Sequence, residues 1–206
     1  MNLTPQYLQA ETTLVTGVTI VYWGAGLLSH AIEDLSAGPS HVQLVECVGW
    51  VPNLALAHGE GCGTVVVAES TIDGHKNGVQ RNDLRGSIQA YPEGSAVAAL
   101  FLKPEYQARA DWSKLTPLVT SMCGKVHYDV WGLFCELLPS SLREAWGTER
   151  NKFCSAAWAT WMIGVGVLEP IVNPNTVTPE QVVAMGIWDH WVPLAGKPNM
   201  ERFNSL

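Results

Sequence analysis

The sequence predicts an α+β protein, with an antiparallel sheet built early in the chain and helices packed on one face of it. Two observations carry this. β-branched and aromatic runs bounded by Gly, Pro and Ser turns end at Lys103-Pro104, and helix signals dominate afterwards. Strands first and helices second is the segregated α+β order, and continued βαβ alternation is missing. The 206 residues are 47% apolar and 15% charged, which suits one domain, 1–206, with a substantial core.

Thr4-Pro5 reads as an N-cap and first helical residue of a short helix ending near Leu14. Residues 17–23 (G-V-T-I-V-Y-W) form a strand, and 27–35 a short helix after a Gly-containing turn. The loop S-A-G-P-S leads into a strand over 41–48. Residues 49–63, rich in Gly, Pro and Ala, form a hairpin-like excursion. Residues 64–70 (T-V-V-V-A-E-S) are a strand, and T-I-D-G-H-K-N-G-V is a loop returning to a short strand. Residues 95–103 form the next strand. Helices follow over 104–125 (broken at Pro117), 128–138, 140–146 and 152–163. Thr178 and Gln181 form a capping box that opens a final helix.

Lys and Arg number 12 against 19 Asp and Glu, a net charge of −7. The basic residues are scattered, which argues against binding nucleic acid through its phosphate backbone. No apolar stretch is long enough to span a bilayer; the longest, 153–168, is interrupted. The N-terminal M-N-L-T-P-Q-Y-L-Q-A-E has no secretory pattern, so the expected location is cytoplasmic. The five cysteines are odd in number and show no C-x-x-C spacing, so neither a disulfide framework nor a zinc ribbon is expected. Nine tryptophans serve core packing and could also line an apolar cleft.

Two residues carry the chemistry. Cys154, in N-K-F-C-S-A-A-W-A-T-W, follows the polar G-T-E-R-N-K and so lies in the first turn of a helix. Most free cysteines are small buried hydrophobes, but unpaired N–H groups and the peptide dipoles of a first turn favour a thiolate. His41 opens a strand, where its ordinary role is a hydrogen bond to a loop carbonyl; beside a thiol it is a base. Glu69 ends V-V-V-A-E, where an acid is costly without a partner. That partner is Arg81, Arg85, or the imidazole of His41, whose tautomer it would fix as the third member of a triad.

Other motifs are weaker. G-A-G-L-L-S (24–29) with Glu46 about 20 residues on imitates a dinucleotide fingerprint, but Ser29 replaces the last small residue and no further βαβ units follow. No Lys or Arg precedes Lys76 to help hold a phosphate. His58, Cys62 and Cys47 match no common metal spacing, so no metal or other cofactor is expected. His127 and Asp129 flank Tyr128 before a helix, where Asp129 suits an N-cap.

The order of short helix, S-H-V strand, V-V-V-A-E strand, G-V at Gly78-Val79, H-Y-D, then F-C-S at a helix start resembles the circularly permuted branch of the NlpC-like papain-fold cysteine hydrolases, the YiiX-type group. In that branch the histidine precedes the cysteine. The resemblance covers about 18–188 and implies a permuted papain-like fold, Cys154 as nucleophile, His41 as base and Glu69 as the orienting group. Tyr128 of the Y-D pair, Trp23 and Trp158 are then expected to bind substrate. The implied reaction is cleavage of an amide bond, in a cell-wall-type peptide or, alternatively, transfer or hydrolysis of a lipid acyl group. The long 49–63 insertion and the V-Y-W-G-A-G segment depart from that pattern. A non-catalytic binding or structural protein of a phage or envelope assembly is the rival of a different class, and a dinucleotide-binding protein the third.

Overall fold

The structure is a computed structural model that describes residues 7, 11–24, 39–49, 65–73, 76–127 and 154–205. Its centre is an open six-stranded antiparallel sheet of β1 (Thr19–Trp23), β2 (His41–Val48), β3 (Val65–Asp73), β4 (Lys76–Asp83), β5 (Ala96–Leu102) and β6 (Trp188–Ala195). The spatial order is β4-β3-β2-β1-β5-β6, and every neighbouring pair is antiparallel. The described helices are α1 (Leu84–Ala90), α2 (Pro104–Arg109), α3 (Leu115–Met122), α4 (Cys154–Gly164) and α5 (Pro179–Ala184).

Every residue of β1 is buried, so the strand is apolar on both faces and needs cover on both. Val21 and Trp23 enter one apolar cluster with Leu44, Leu100, Leu115, Trp158 and Trp161. Ile20 and Tyr22 enter a second, with Tyr7, Val45, Val67, Leu84 and Ile88. The helices therefore do not keep to one face as expected: α3 and α4 cover one side, while α1, Tyr7 and Leu14 cover the other. On the first side, truncating the fully buried Trp158 or Trp161 to alanine would cost about 3–5 kcal/mol.

Three further expectations differ from the structure. The returning segment after β3 is an eight-residue strand, β4, not a short one. It is followed by α1, capped by Asp83, whose side chain accepts from the Gly86 N–H at 2.8 Å. The break expected at Pro117 falls earlier. Pro117 sits in the first turn of α3, where its missing N–H has no helical partner to lose. Finally β6 follows the helices, so strands are not confined to the first half. It is an edge strand beside β5, a place that tolerates Pro193.

Tyr7 and Glu11, the described residues of the expected first helix that carry a regular assignment, are helical. The Thr178 capping box forms in both directions, from the Gln181 N–H to the Thr178 hydroxyl and from the Thr178 N–H to Gln181 Oε1. The helices expected over 27–35, 128–138 and 140–146, and the 49–63 excursion beyond Gly49, lie outside the described residues. Among the described residues no helix is long and apolar enough to cross a membrane.

Candidate active site

The start of β2, the middle of β3 and the start of α4 meet at one point. The turn at Pro39 and Ser40 delivers the chain into β2, with the Ser40 N–H bonded to the Tyr22 carbonyl at 2.8 Å. His41, opposite Tyr22, is the first residue of the strand. Its Nε2 lies 2.6 Å from Glu69 Oε2. The Cys154 thiol lies close enough to act on the His41 imidazole and is the largest of the influences that raise its pKa. Cys154 is the first residue of α4 and 2% exposed, while His41 and Glu69 are 7% and 4% exposed. The structure thus gathers three buried residues from three distant stretches of sequence, with His41 hydrogen-bonded to Glu69 and the Cys154 sulfur acting on the same imidazole.

The electrostatics follow from this burial. Loss of water disfavours the imidazolium, but the Cys154 sulfur and the Glu69 carboxylate outweigh it and raise the His41 pKa from 6.5 to about 10. Burial by itself would push the Glu69 carboxyl up. The His41 imidazole, with Gln43 and Gln80, reverses this and leaves it below its ordinary value. Both shifts favour a charged imidazolium–carboxylate pair at neutral pH.

Glu69 is held by a ring of amides. It accepts from Gln43 Nε2 at 2.8 Å, from Gln80 Nε2 at 3.4 Å and from Asn82 Nδ2. Gln43 in turn accepts the Tyr22 hydroxyl at 2.7 Å. Tyr22 stacks on Tyr91 with centroids 4.4 Å apart, and the Tyr91 ring lies 6.5 Å from His41. Burial, then the neighbouring Tyr91 and Glu69, hold the Tyr22 hydroxyl well above its ordinary value, so it donates and does not ionise. These residues fix the carboxylate, and through it the plane of the imidazole.

The competing partners of Glu69 go elsewhere. Arg81 forms a two-pronged pair with Glu46, Nε to Oε2 at 2.6 Å and Nη2 to Oε1 at 2.7 Å, and also donates to Thr120 on α3. Arg85 pairs with Glu11 at 3.2 Å. The Glu46 of the imitation dinucleotide fingerprint is therefore committed to a buried ion pair. The wholly antiparallel sheet also has no parallel switch point at which a pyrophosphate would sit. Residues 25–29 of that fingerprint lie outside the described residues.

Of the residues expected to contact substrate, Trp23 ends β1 and is buried in the cluster that α4 covers. Trp158 does not line a cleft. It is fully buried, donates from Nε1 to Thr19 Oγ1 at 2.8 Å, and anchors α4 on the sheet. An indole one helical turn after a first-turn cysteine faces the sheet that the helix packs on, so its place is the core. Tyr128 lies outside the described residues, as do His58 and Cys62. Among the described residues no three His, Cys, Asp or Glu side chains converge in a metal-binding group.

Gln43, Gln80, Asn82, Tyr22 and Tyr91 are the site residues that sequence reasoning missed. Polar residues at a spacing of two, Gln80 and Asn82 beside the strand carrying Glu69, were the available signal. No protein-family model matches the chain, and no curated protein matches it at a significant level.

Proposed function

We propose that the protein is a cysteine hydrolase that works through an acyl-enzyme, with Cys154 as nucleophile, His41 as base and Glu69 as the group that orients it. The observation that carries this reading is the buried cluster of Cys154, His41 and Glu69, with His41 hydrogen-bonded to Glu69 and the sulfur at a helix N-terminus. The order of histidine before cysteine supports the circularly permuted, NlpC-like papain fold. The resemblance to that group implies an amide bond of a cell-wall-type peptide as the bond cleaved.

In the first half-reaction the Cys154 proton passes to His41 as the sulfur attacks the carbonyl carbon. A C–S bond forms, and the carbonyl π pair moves to oxygen. Collapse of this intermediate breaks the C–N bond, and the departing amine takes its proton from the His41 imidazolium. In the second half-reaction His41 removes a proton from water, and hydroxide adds to the thioester. The C–S bond then breaks to release the acid and restore the thiol. Glu69 keeps Nε2–H bonded throughout, so the other nitrogen always faces the sulfur.

The test is incubation with a panel of cell-wall-type peptides and of acyl esters, followed by mass spectrometry of the Cys154 peptide. Product release with a transient acyl group on Cys154, both lost in Cys154→Ala, is the expected result. A Cys154 that is never acylated by any member of the panel would favour a non-catalytic binding protein of the same fold.

A further inference from the structure

Every acceptor site of the Glu69 carboxylate is occupied. Its Oε2 takes His41 Nε2 at 2.6 Å and Gln43 Nε2 at 2.8 Å, while its Oε1 takes Gln80 Nε2 at 3.4 Å and Asn82 Nδ2. A carboxylate offers about four lone-pair sites, so these partners fill it. A proton can therefore be added to either oxygen only if an amide turns and presents its carbonyl instead of its N–H.

The two oxygens differ in how easily that happens. Gln80 Oε1 and Asn82 Oδ1 are buried without a donor, so neither amide gives up a bond at its oxygen by turning toward Glu69 Oε1. Gln43, beside Oε2, is held from behind: its Oε1 accepts the hydroxyl of the fully buried Tyr22 at 2.7 Å. Turning Gln43 would strand that hydroxyl, and a buried donor without a partner is costly. Register explains the contact. Tyr22 stands opposite His41, and Gln43 follows two residues on, so the three share one face of the sheet. The ionisable groups around this cluster are His41, Cys154, Tyr22 and Tyr91, with Tyr7 and Asp83 acting on Tyr22. Arg81 stands opposite Ala68 and pairs with Glu46 on the other face, which α3 covers.

We propose that Tyr22 is a positioning residue that, by fixing the direction of the Gln43 amide, reserves Glu69 Oε2 for His41 and sends any proton that Glu69 binds to Oε1. The inference rests on the hydrolase reading above and deepens it, because it explains how the imidazole keeps its orienting partner while the carboxyl titrates. Tyr22 acts through two hydrogen bonds, and burial keeps its phenol protonated and able to donate. Without the hydroxyl, Gln43 is free to turn, Oε2 opens to protonation, and Glu69 takes up a proton more easily.

The experiment follows the Glu69 carboxyl carbon by NMR through a pH titration of the folded protein, with the signal assigned from Glu69→Gln. Tyr22→Phe keeps the ring contacts with His41 and Tyr91, 5.8 and 4.4 Å between centroids, and removes only the hydroxyl. It should raise the Glu69 midpoint by about half to one pH unit, the share of one neutral hydrogen bond. Gln43→Met should raise it by about one to two units, since the bond lost is to a charged group. Adding Tyr22→Phe to Gln43→Met should then change nothing further. A second probe, 3-fluorotyrosine at position 22, keeps the ring and strengthens the donor, and should lower the midpoint. A wild-type midpoint in Tyr22→Phe, or in the fluorotyrosine protein should the phenylalanine variant not fold, would overturn the proposal. An equal rise from Tyr22→Phe with and without Gln43 would also overturn it, because Tyr22 would then act directly. The midpoints need no turnover, so either failure leaves the hydrolase reading standing. A Cys154 that no substrate acylates would overturn that reading, and with it any catalytic use of the arrangement, whatever the midpoints.

Discussion

Replacing Glu69 by glutamine keeps the side chain's shape and removes one negative charge from beside His41. In the native site the carboxylate lies 2.6 Å from His41 Nε2. Charge centres roughly 4 Å apart, at an effective dielectric of about 20, interact by about 4 kcal/mol. Losing that interaction lowers the His41 titration midpoint, now near 10, by as much as about three pH units. The sign follows from charge, since a carboxylate favours the protonated imidazole and a neutral amide does not. The hydrogen-bond network can adapt, because Gln80 Oε1 and Asn82 Oδ1 are buried without partners and a rotated amide would offer either to the new NH2 group. The stability cost is therefore modest, about 1–3 kcal/mol. The assay is an NMR titration of the His41 ring in wild type and Glu69→Gln, together with the rate of Cys154 acylation. A lowered midpoint and a reduced but measurable rate are expected, since an imidazole that is poorly oriented still acts occasionally. An unchanged midpoint with an unchanged rate would refute the role given to Glu69.

Stability should depend on pH from both sides. His41, raised from 6.5 to about 10, contributes fully below about pH 6.5 and loses its contribution as pH rises through about 10. Glu69, lowered from 4.5, contributes above about that pH and loses its contribution as pH falls through its lower folded value. Thermal unfolding should show both limbs, and a transition temperature constant from roughly pH 3 to pH 10 would contradict the assignment. Arg81→Met should destabilise the fold by about 3–5 kcal/mol in chemical denaturation, because it strands the buried Glu46 carboxylate; adding Glu46→Gln should recover much of the loss. A single variant as stable as wild type would count against a buried pair. Gly78→Ala should lower the unfolding midpoint, since Gly78 has φ of +113° and a Cβ there would meet the Val126 carbonyl oxygen. A midpoint equal to wild type would show that this backbone approach is not tight.

How far the sequence reveals this arrangement depends on what each residue needs to be seen. The bounds of β2 are legible because an apolar, β-branched run begins at once after Pro39-Ser40. His41, Cys154 and Glu69 are visible for a related reason: each is a chemically expensive residue at an element's end or on an apolar strand. Their meeting is not visible, since it depends on β2 lying beside β3 and on α4 packing against both. The amide ring around Glu69 was hidden by reading the β4 segment as a loop and a short strand, which hid the pairing of Glu69 with Gln80. Strand β6 escaped because W-D-H-W-V-P-L-A carries a proline and polar residues that only an edge strand accommodates. Trp158, expected to contact substrate, is buried against Thr19, because an aromatic one turn after a helix-opening cysteine reads alike in sequence whether it faces solvent or sheet.

The central claim, that Cys154 is a thiol activated by His41, is tested most directly by timed alkylation with iodoacetamide at pH 6, with each cysteine followed by peptide mass spectrometry. Burial pushes the thiols of Cys47 and Cys123 up from their ordinary values, so both remain protonated and slow at that pH. Cys154 should be labelled ahead of Cys47, Cys62, Cys123 and Cys135 in the folded protein, and His41→Ala should abolish its lead. Labelling of any other cysteine first, or an unchanged Cys154 rate in His41→Ala, would contradict the account.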